Sequence, residues 1–266
     1  MSVERLLPIV VILLLVSCAA AGAPPPTSSV GVDASGPQYG GAPSADKLLP
    51  TPTPATVVAP TETPLLGNLL ASAQADFDCD GRADRLQFFA RLPGGPRDAM
   101  ILARLTLATA AVHETTLGSN DVAEPNPLIG IADVNGDGCD DAIVTVGHGA
   151  STVWTSFLVY ADGALRRVEE NGAPVMFLFA GSVRHGNSIE CRRTKDTPEI
   201  VARGVSDYTS DYAWDLVEDV HHWYSRSQLV LWSTTRSVIA VSDAYAMPAD
   251  HDRYWGLSCG NVKLAG

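Results

Sequence analysis

Hydrophobic and polar positions divide the chain into three stretches with different patterns. An apolar run from Leu6 to Val16, interrupted only by Pro8, comes first, and a polar stretch without apolar periodicity follows it up to residue 64. From residue 65 onward, short apolar or alternating runs recur between clusters of Asp, Asn and Gly. Short runs bounded by turn residues are typical of β-strands. The pattern therefore predicts an all-β domain over residues 65–266.

The apolar run predicts a signal peptide over residues 1–17. It is shorter than the roughly 20 apolar residues that cross a bilayer as a helix, and small residues follow it. Leu15-Val16-Ser17-Cys18 resembles a bacterial lipobox, which implies a lipid anchor on Cys18. The alternatives are cleavage followed by plain secretion, and a retained membrane anchor. Each of the three places the rest of the chain outside the cytoplasm.

Residues 18–64 are predicted to form a disordered linker. They hold ten of the chain's 18 prolines and only four charged residues, with Ser, Thr, Gly and Ala at most other positions. Proline neither continues a helix nor donates to a strand ladder, and it favours an extended path. A segment with so little apolar surface gains too little from burial to fold. We therefore expect a spacer between the membrane anchor and the folded domain.

Two acidic segments of the predicted domain share one pattern. They are ADFDCDGRAD (residues 75–84) and ADVNGDGCDD (residues 132–141), and their first loop positions, Asp76 and Asp133, lie 57 residues apart. In both, oxygen-bearing side chains stand at loop positions 1, 3, 5 and 9, and glycine stands at position 6. The candidate metal ligands are Asp76, Asp78, Asp80, the carbonyl of Arg82 and Asp84 in the first loop, and Asp133, Asn135, Asp137, the carbonyl of Cys139 and Asp141 in the second.

This pattern predicts two calcium sites. Ca²⁺ takes about six to eight oxygen ligands, and alternate side chains of a tight loop converge on one point. Glycine at position 6 allows the sharp turn by which position 7 offers its carbonyl. An EF-hand is excluded, because it needs an acid at position 12 and a following helix, whereas Gln87 and Val144 stand there and β-rich runs follow. The alternative is a solvated Asp/Asn/Gly turn.

A third, degenerate copy of the segment is CRRTKDTPE, residues 191–199, and its first loop position, Cys191, lies 58 residues after Asp133. Arg193 and Lys195 stand there in place of carboxylates. We therefore expect this copy to keep the loop's place in the fold and to bind no calcium. Three copies at a near-constant spacing predict a repeat architecture.

The three segments resemble the calcium loop of FG-GAP/VCBS repeat proteins, and with flanking strands the resemblance covers residues 68–260. It implies tandem four-stranded antiparallel blades of a β-propeller-like fold, with each loop joining the first two strands of a blade. Strands are expected over 128–131, 142–146, 153–160 and 164–168, and again over 214–220, 228–232 and 237–241. The domain has room for about three such repeats, whereas propellers close with about four to eight blades. An open stack, a barrel-like variant and a fragment completed by a partner all remain open.

Four cysteines remain besides Cys18: Cys79, Cys139, Cys191 and Cys259. An even number in an exported chain predicts two disulfides. Because Cys79 and Cys139 lie in matching loops of neighbouring repeats, we expect the pairs Cys79–Cys139 and Cys191–Cys259. A thiolate metal site is disfavoured, because no Cys-x-x-Cys spacing occurs.

Charge and aromatic content narrow the classes of partner. Residues 65–266 carry 26 acidic and 16 basic residues with no basic stripe, which argues against a nucleic-acid partner.

All five tryptophans lie after residue 150, with several tyrosines among them. They predict either packing between blades or a sugar- or peptide-binding face. No serine elbow, zinc-protease helix or phosphate loop occurs, so no catalytic residue is predicted.

The sequence thus predicts a lipid-anchored, extracytoplasmic, calcium-binding protein that is not an enzyme. We expect a ligand-binding or adhesion role toward an extracellular protein or polysaccharide, with Ca²⁺ as a structural ion. Two other classes stay open. A hydrolase or lyase would draw titratable groups from Asp211, Asp215, Glu218, His221 and His222. A structural or assembly protein would self-associate through exposed blade edges.

Overall fold

A computed structural model describes residues 66–91, 100–118 and 126–265. The predicted signal peptide, the anchor Cys18 and the linker lie outside these residues and stay predictions. Within them the chain forms β-strands and one short 3-10 turn at His251–Arg253, so the all-β prediction is confirmed. No helix in this described part is long and apolar enough to cross a membrane.

The strands differ greatly in length, from two residues to 14. In chain order they are β1 (Leu69–Ala75), β2 (Asp84–Arg91), β3 (Met100–Thr106), β4 (Val112–Gly118), β5 (Leu128–Ala132), β6 (Asp141–His148), β7 (Thr152–Ala161), β8 (Ala164–Arg167), β9 (Glu169–Glu170), β10 (Ala173–Pro174), β11 (Phe177–Ser182), β12 (His185–Thr194), β13 (Thr197–Ser210), β14 (Ala213–Ser225), β15 (Gln228–Ala240), β16 (Gly256–Cys259) and β17 (Val262–Ala265).

The first two repeats each form a four-stranded antiparallel meander. The first runs in the order β1-β2-β3-β4, and the second pairs β5 with β6, β6 with β7 and β7 with β8. In both, the acidic segment joins the first strand to the second. The four strands that the sequence predicts around the second loop are observed as β5 to β8.

The third repeat differs from the expected separate blade. The first half of β7 pairs with β11, so the second meander continues without a break into the sheet of β11 to β15. β15 is one continuous strand from Gln228 to Ala240, where two strands over 228–232 and 237–241 were expected. β16 pairs in parallel with β12, and β17 pairs with β16. The described strands do not close into a propeller.

The degenerate third copy is a hairpin turn. Cys191 lies in β12 and Glu199 in β13, and the ladder between the two strands extends as far as the pair Thr194–Thr197. Only Lys195 and Asp196 connect the strands, with φ of 50° and 67°, as a two-residue type I′ turn requires. The copy keeps its place between two antiparallel strands. Most of its residues pair in the ladder between β12 and β13, so it does not form the longer loop of the other copies.

Two apolar cores lie on opposite faces of β6. Ala142, Val144 and Val146 join the core shared with the first meander, whereas Ile143 joins the core shared with β11 to β13 and β16. Because both faces are buried, the middle of this strand is apolar at consecutive positions from Ala142 to Val144 and does not alternate. A smaller cluster contains Trp214 and Trp255, whose rings meet edge to face at 5.4 Å. These two tryptophans serve packing.

Candidate metal centre

The two acidic segments adopt the same backbone conformation. Positions 4 and 6 of each loop have positive φ: 60° at Cys79 and 80° at Gly81 in the first, 79° at Gly136 and 90° at Gly138 in the second. Glycine adopts such angles without steric cost. The two segments therefore share backbone features as well as sequence.

Each loop is anchored by a buried pair at positions 2 and 9. The amide of Phe77 donates to Asp84 Oδ2 at 3.0 Å, and the amide of Val134 donates to Asp141 Oδ2 at 3.1 Å. All four residues are almost wholly buried. The apolar side chain at position 2 enters the core and thereby fixes the carboxylate at position 9 beneath the loop.

Carboxylate oxygens along each loop accept hydrogen bonds from amides further along it. Asp76 accepts from the amides of Asp80 and Gly81 at 3.1 and 2.9 Å. Asp133 accepts from the amides of Gly136 and Gly138 at 2.6 and 3.1 Å. These bonds hold the position 1 oxygens toward the middle of the loop.

Three carboxylates of the first loop converge. Oxygens of Asp76, Asp78 and Asp84 lie within 4.8 Å of one another. This separation is compatible with shared ligation, because oxygens at about 2.3–2.6 Å from one Ca²⁺ lie at most about 4.6–5.2 Å apart. No described basic side chain forms an ion pair with any of the three. The fourth predicted carboxylate, Asp80, is bound by Arg82 Nε at 2.9 Å. The first loop thus holds an unbalanced cluster of negative charge that suits a hard cation.

The second loop obtains positive charge from distant parts of the chain. Arg193 in β12 lies 3.2 Å from Asp133, and Arg226 in the turn after β14 lies 3.3 Å from Asp137. The carbonyl of Arg226 also accepts a hydrogen bond from Asn135 Nδ2 at 3.2 Å. Neither arginine was predicted to act here, because the sequence shows no local signal that brings β12 or this turn to the loop.

Burial and these neighbouring charges shift the pKa values of three loop carboxylates. Desolvation, with the negative charges of Asp84, Asp80 and Asp76, raises the pKa of Asp78. Burial raises the pKa of Asp141 well above its usual range, with further contributions from Asp137 and Asp133. Hydrogen bonding to Arg82 lowers the pKa of Asp80. A bound dication would favour the ionised form of each ligand.

Both predicted disulfides are present. Cys79 at position 4 of the first loop is bonded to Cys139 at position 7 of the second, with their Cα atoms 5.0 Å apart. Cys191 in β12 is bonded to Cys259 in β16, with a Cα separation of 4.5 Å. Both bonds indicate an oxidising compartment.

No family model, curated protein or solved structure matches this chain. The likeness to FG-GAP/VCBS repeats therefore rests on the acidic segments and their flanking strands alone.

A second surface carries three exposed tyrosines and one arginine. We call it the tyrosine patch, and it consists of Tyr208, Tyr212, Tyr245 and Arg184. Tyr208 is 63% exposed and Tyr245 is 59% exposed. The Arg184 guanidinium lies 5.4 Å from the Tyr208 ring centroid and 6.0 Å from that of Tyr245. Asp207 holds Arg184 in place through a 2.9 Å ion pair. Rigid aromatic rings around a fixed guanidinium are typical of binding surfaces.

Proposed function

We propose that this chain is a lipid-anchored, extracytoplasmic calcium-binding protein whose β domain is a ligand-binding or adhesion module. The observation that carries the calcium assignment is the convergence of Asp76, Asp78 and Asp84 without a described basic partner. An ion bound there offsets the repulsion among the three carboxylates.

Calcium has a structural role in this proposal. The first loop joins β1 to β2, and it is bonded to the second loop through Cys79–Cys139. An ion that orders the first loop therefore also orders the junction between the two meanders. Extracellular calcium modules bind with dissociation constants of about 0.1–1 mM, so calcium outside a cell keeps such a site filled.

The cellular location in this proposal follows from three features. The two disulfides favour an oxidising environment. The lipobox-like segment supplies a lipid on Cys18, and the proline-rich linker spaces the domain from the membrane. The domain is displayed on the outer side of the cell membrane.

The tyrosine patch is the surface that we assign to the extracellular protein or polysaccharide. Its rings present large apolar faces with hydroxyls at their tips, and Arg184 adds a donor between two of them.

The titratable residues of β14 that a catalytic site could use do not share one face of the sheet. Glu218 and His222 alternate along β14 with Asp215 and His221, so the two pairs point to opposite faces of the sheet. This separation favours binding over catalysis.

The test is thermal unfolding of the exported chain in EDTA and across a calcium titration. Asp78→Asn removes a charge from the converged cluster, and we expect it to reduce the calcium-dependent rise in Tm. Asp162→Asn is the matched control, because Asp162 lies in the β7–β8 turn with its side chain 81% exposed. If the chain is folded and its Tm is the same in EDTA and in calcium, the calcium assignment is refuted.

A further inference from the structure

One edge of the large sheet is open along most of its length. β15 pairs with β14 from Gln228 to Ala240, but on its other side it pairs only with β9, at Gln228 and Leu229. No other described strand pairs with it. From Val230 to Ala240 every residue is exposed except the half-buried Ile239. The outward backbone groups of this edge are therefore available for pairing.

The open edge has few of the features that prevent pairing. It contains no proline and a single charge, Arg236. Val230, Leu231, Trp232 and Val238 are exposed on it. Native proteins protect such edges with charges, prolines, bulges or covering segments, because an exposed strand is a template for another strand.

A bulge at Trp232 sets which side chains share a face. Leu231 pairs with His221 and Ser233 pairs with Val220, so Trp232 is the extra residue. Its indole stacks on His222 with ring centroids 4.7 Å apart. The pairing with β14 places Val230, Ser233, Thr235, Ser237 and Ile239 on one face, and Leu231, Thr234, Arg236 and Val238 on the other.

We propose that this edge pairs with the same edge of a second copy of the chain, antiparallel about Thr235. The register then sets Thr235 opposite itself, Ser233 opposite Ser237 and Thr234 opposite Arg236. Beyond the bulge it sets Leu231 opposite Val238 and Val230 opposite Ile239. Each pair lies on a common face, and apolar residues meet apolar residues at both ends. A two-fold interface requires such self-complementarity, and this strand has it.

Charge also favours this register. Each Arg236 lies opposite Thr234 of the other copy and not opposite the other Arg236. The hydroxyl of Thr234 donates to Asp219 Oδ1 at 2.6 Å, so a carboxylate stands in the direction of the incoming guanidinium. Within the described part, Arg236 forms no ion pair. The edge thus brings its single positive charge toward Asp219 of the second copy. This inference does not depend on calcium.

The first test places like charges at the two-fold axis. The parent is the exported chain carrying Cys18→Ser, so that no lipid drives association, and its mass is followed by analytical ultracentrifugation. Thr235→Lys and Thr235→Asp each set like charges opposite each other, and we expect each to raise the dimer dissociation constant more than about tenfold. An equimolar mixture of the two variants sets Lys opposite Asp and is expected to restore dimers.

The second test maps the register by cross-linking. Thr235→Cys in the same parent places two thiols directly opposite, so mild oxidation should give a covalent dimer. Ser237→Cys is the matched control, because in this register its two copies are offset by four residues, about 13 Å along the strands, well beyond the Cα separation of about 7 Å that a disulfide tolerates. A parent that stays monomeric, as it would if another segment covered the edge, overturns the proposal. Equal association of parent and Thr235→Lys chain, or equal cross-linking at both positions, overturns it as well.

Discussion

The amide of Asp140 donates a hydrogen bond to the carbonyl of Asp76 at 2.9 Å, and the amide of Asp76 donates to Asp140 Oδ2 at 3.0 Å. This reciprocal contact places position 8 of the second loop against position 1 of the first. The two loops are therefore a single unit, even though they belong to different meanders. Ordering one of them restricts the other.

The first prediction concerns the arginine that compensates the second loop. Arg193→Met leaves Asp133 without its cation, so we expect a loss of about 0.5–1 kcal/mol of unfolding free energy in EDTA. Calcium should recover this loss, because Asp133 becomes free to bind it. Arg166→Met is the control, since the ion pair of Arg166 with Asp162 is exposed and 4.0 Å long, and its other bond is to the carbonyl of Ala161. Urea unfolding with and without calcium measures both, and equal losses in EDTA and in calcium would contradict the prediction.

The second prediction separates the two disulfides. Replacing Cys79 and Cys139 by serine releases a cross-link between residues 60 positions apart, which should cost about 2–5 kcal/mol. It should also weaken calcium binding, because the bond fixes the first loop against the second. Replacing Cys191 and Cys259 should lower stability similarly but leave calcium affinity unchanged, since β12 and β16 hold that bond. Calorimetric titration with calcium distinguishes the two, and equal affinities in both variants would refute the assignment.

The third prediction concerns pH and Glu199. Burial raises the pKa of Glu199, but hydrogen bonds from Arg192, Thr194 and His222 outweigh it and bring the pKa below 4.5. Because the folded-state pKa is below the unfolded value, the group stabilises the fold above pH 4.5. That contribution is lost as the pH falls through the folded pKa. Glu199→Gln should therefore flatten the dependence of unfolding free energy on pH below 4.5.

The control for that experiment is Glu114→Gln, which removes a partly exposed carboxylate paired with Arg104. Urea unfolding at about pH 7 and about pH 3 is sufficient for the comparison. The same pH dependence in the Glu199→Gln chain as in the parent would show that the carboxylate contributes nothing.

The fourth prediction concerns the core between the meanders. Phe88 in β2 is fully buried and belongs to the core cluster that also contains residues of β3, β6 and β7. Phe88→Ala should cost about 3–5 kcal/mol, through lost burial and the cavity that remains. Val112→Ala, at an exposed position of β4, should change little. Because the core is shared, both meanders should unfold together, and two separate transitions in calorimetry would contradict this.

Local patterns in the sequence accounted for the loops, the second meander and both disulfides. They missed features that depend on contacts between distant segments. Ser233 to Ser237 contain no apolar residue, and the sequence pattern therefore predicts one strand before this stretch and another after it. An edge strand with both faces in solvent needs no apolar alternation, and pairing with β14 alone keeps it extended. The pairing of β7 with β11 likewise has no local signal.

The degenerate third copy illustrates the same limit. Arg193 was interpreted as a lost ligand, because position 3 holds an oxygen-bearing residue in the other copies. In the structure its guanidinium instead reaches Asp133, 60 residues earlier in the chain. The arginine that replaces a ligand in the third copy thus supplies positive charge to the second loop. Only the strand arrangement reveals that relation.

The Cys79–Cys139 bond also affects the response of this protein to proteases. A cut at any single peptide bond between these two cysteines leaves both fragments covalently joined through the sulfur atoms. The N-terminal fragment then retains the remainder of the domain. A chain nicked in this interval stays in one covalent piece until its disulfide is reduced.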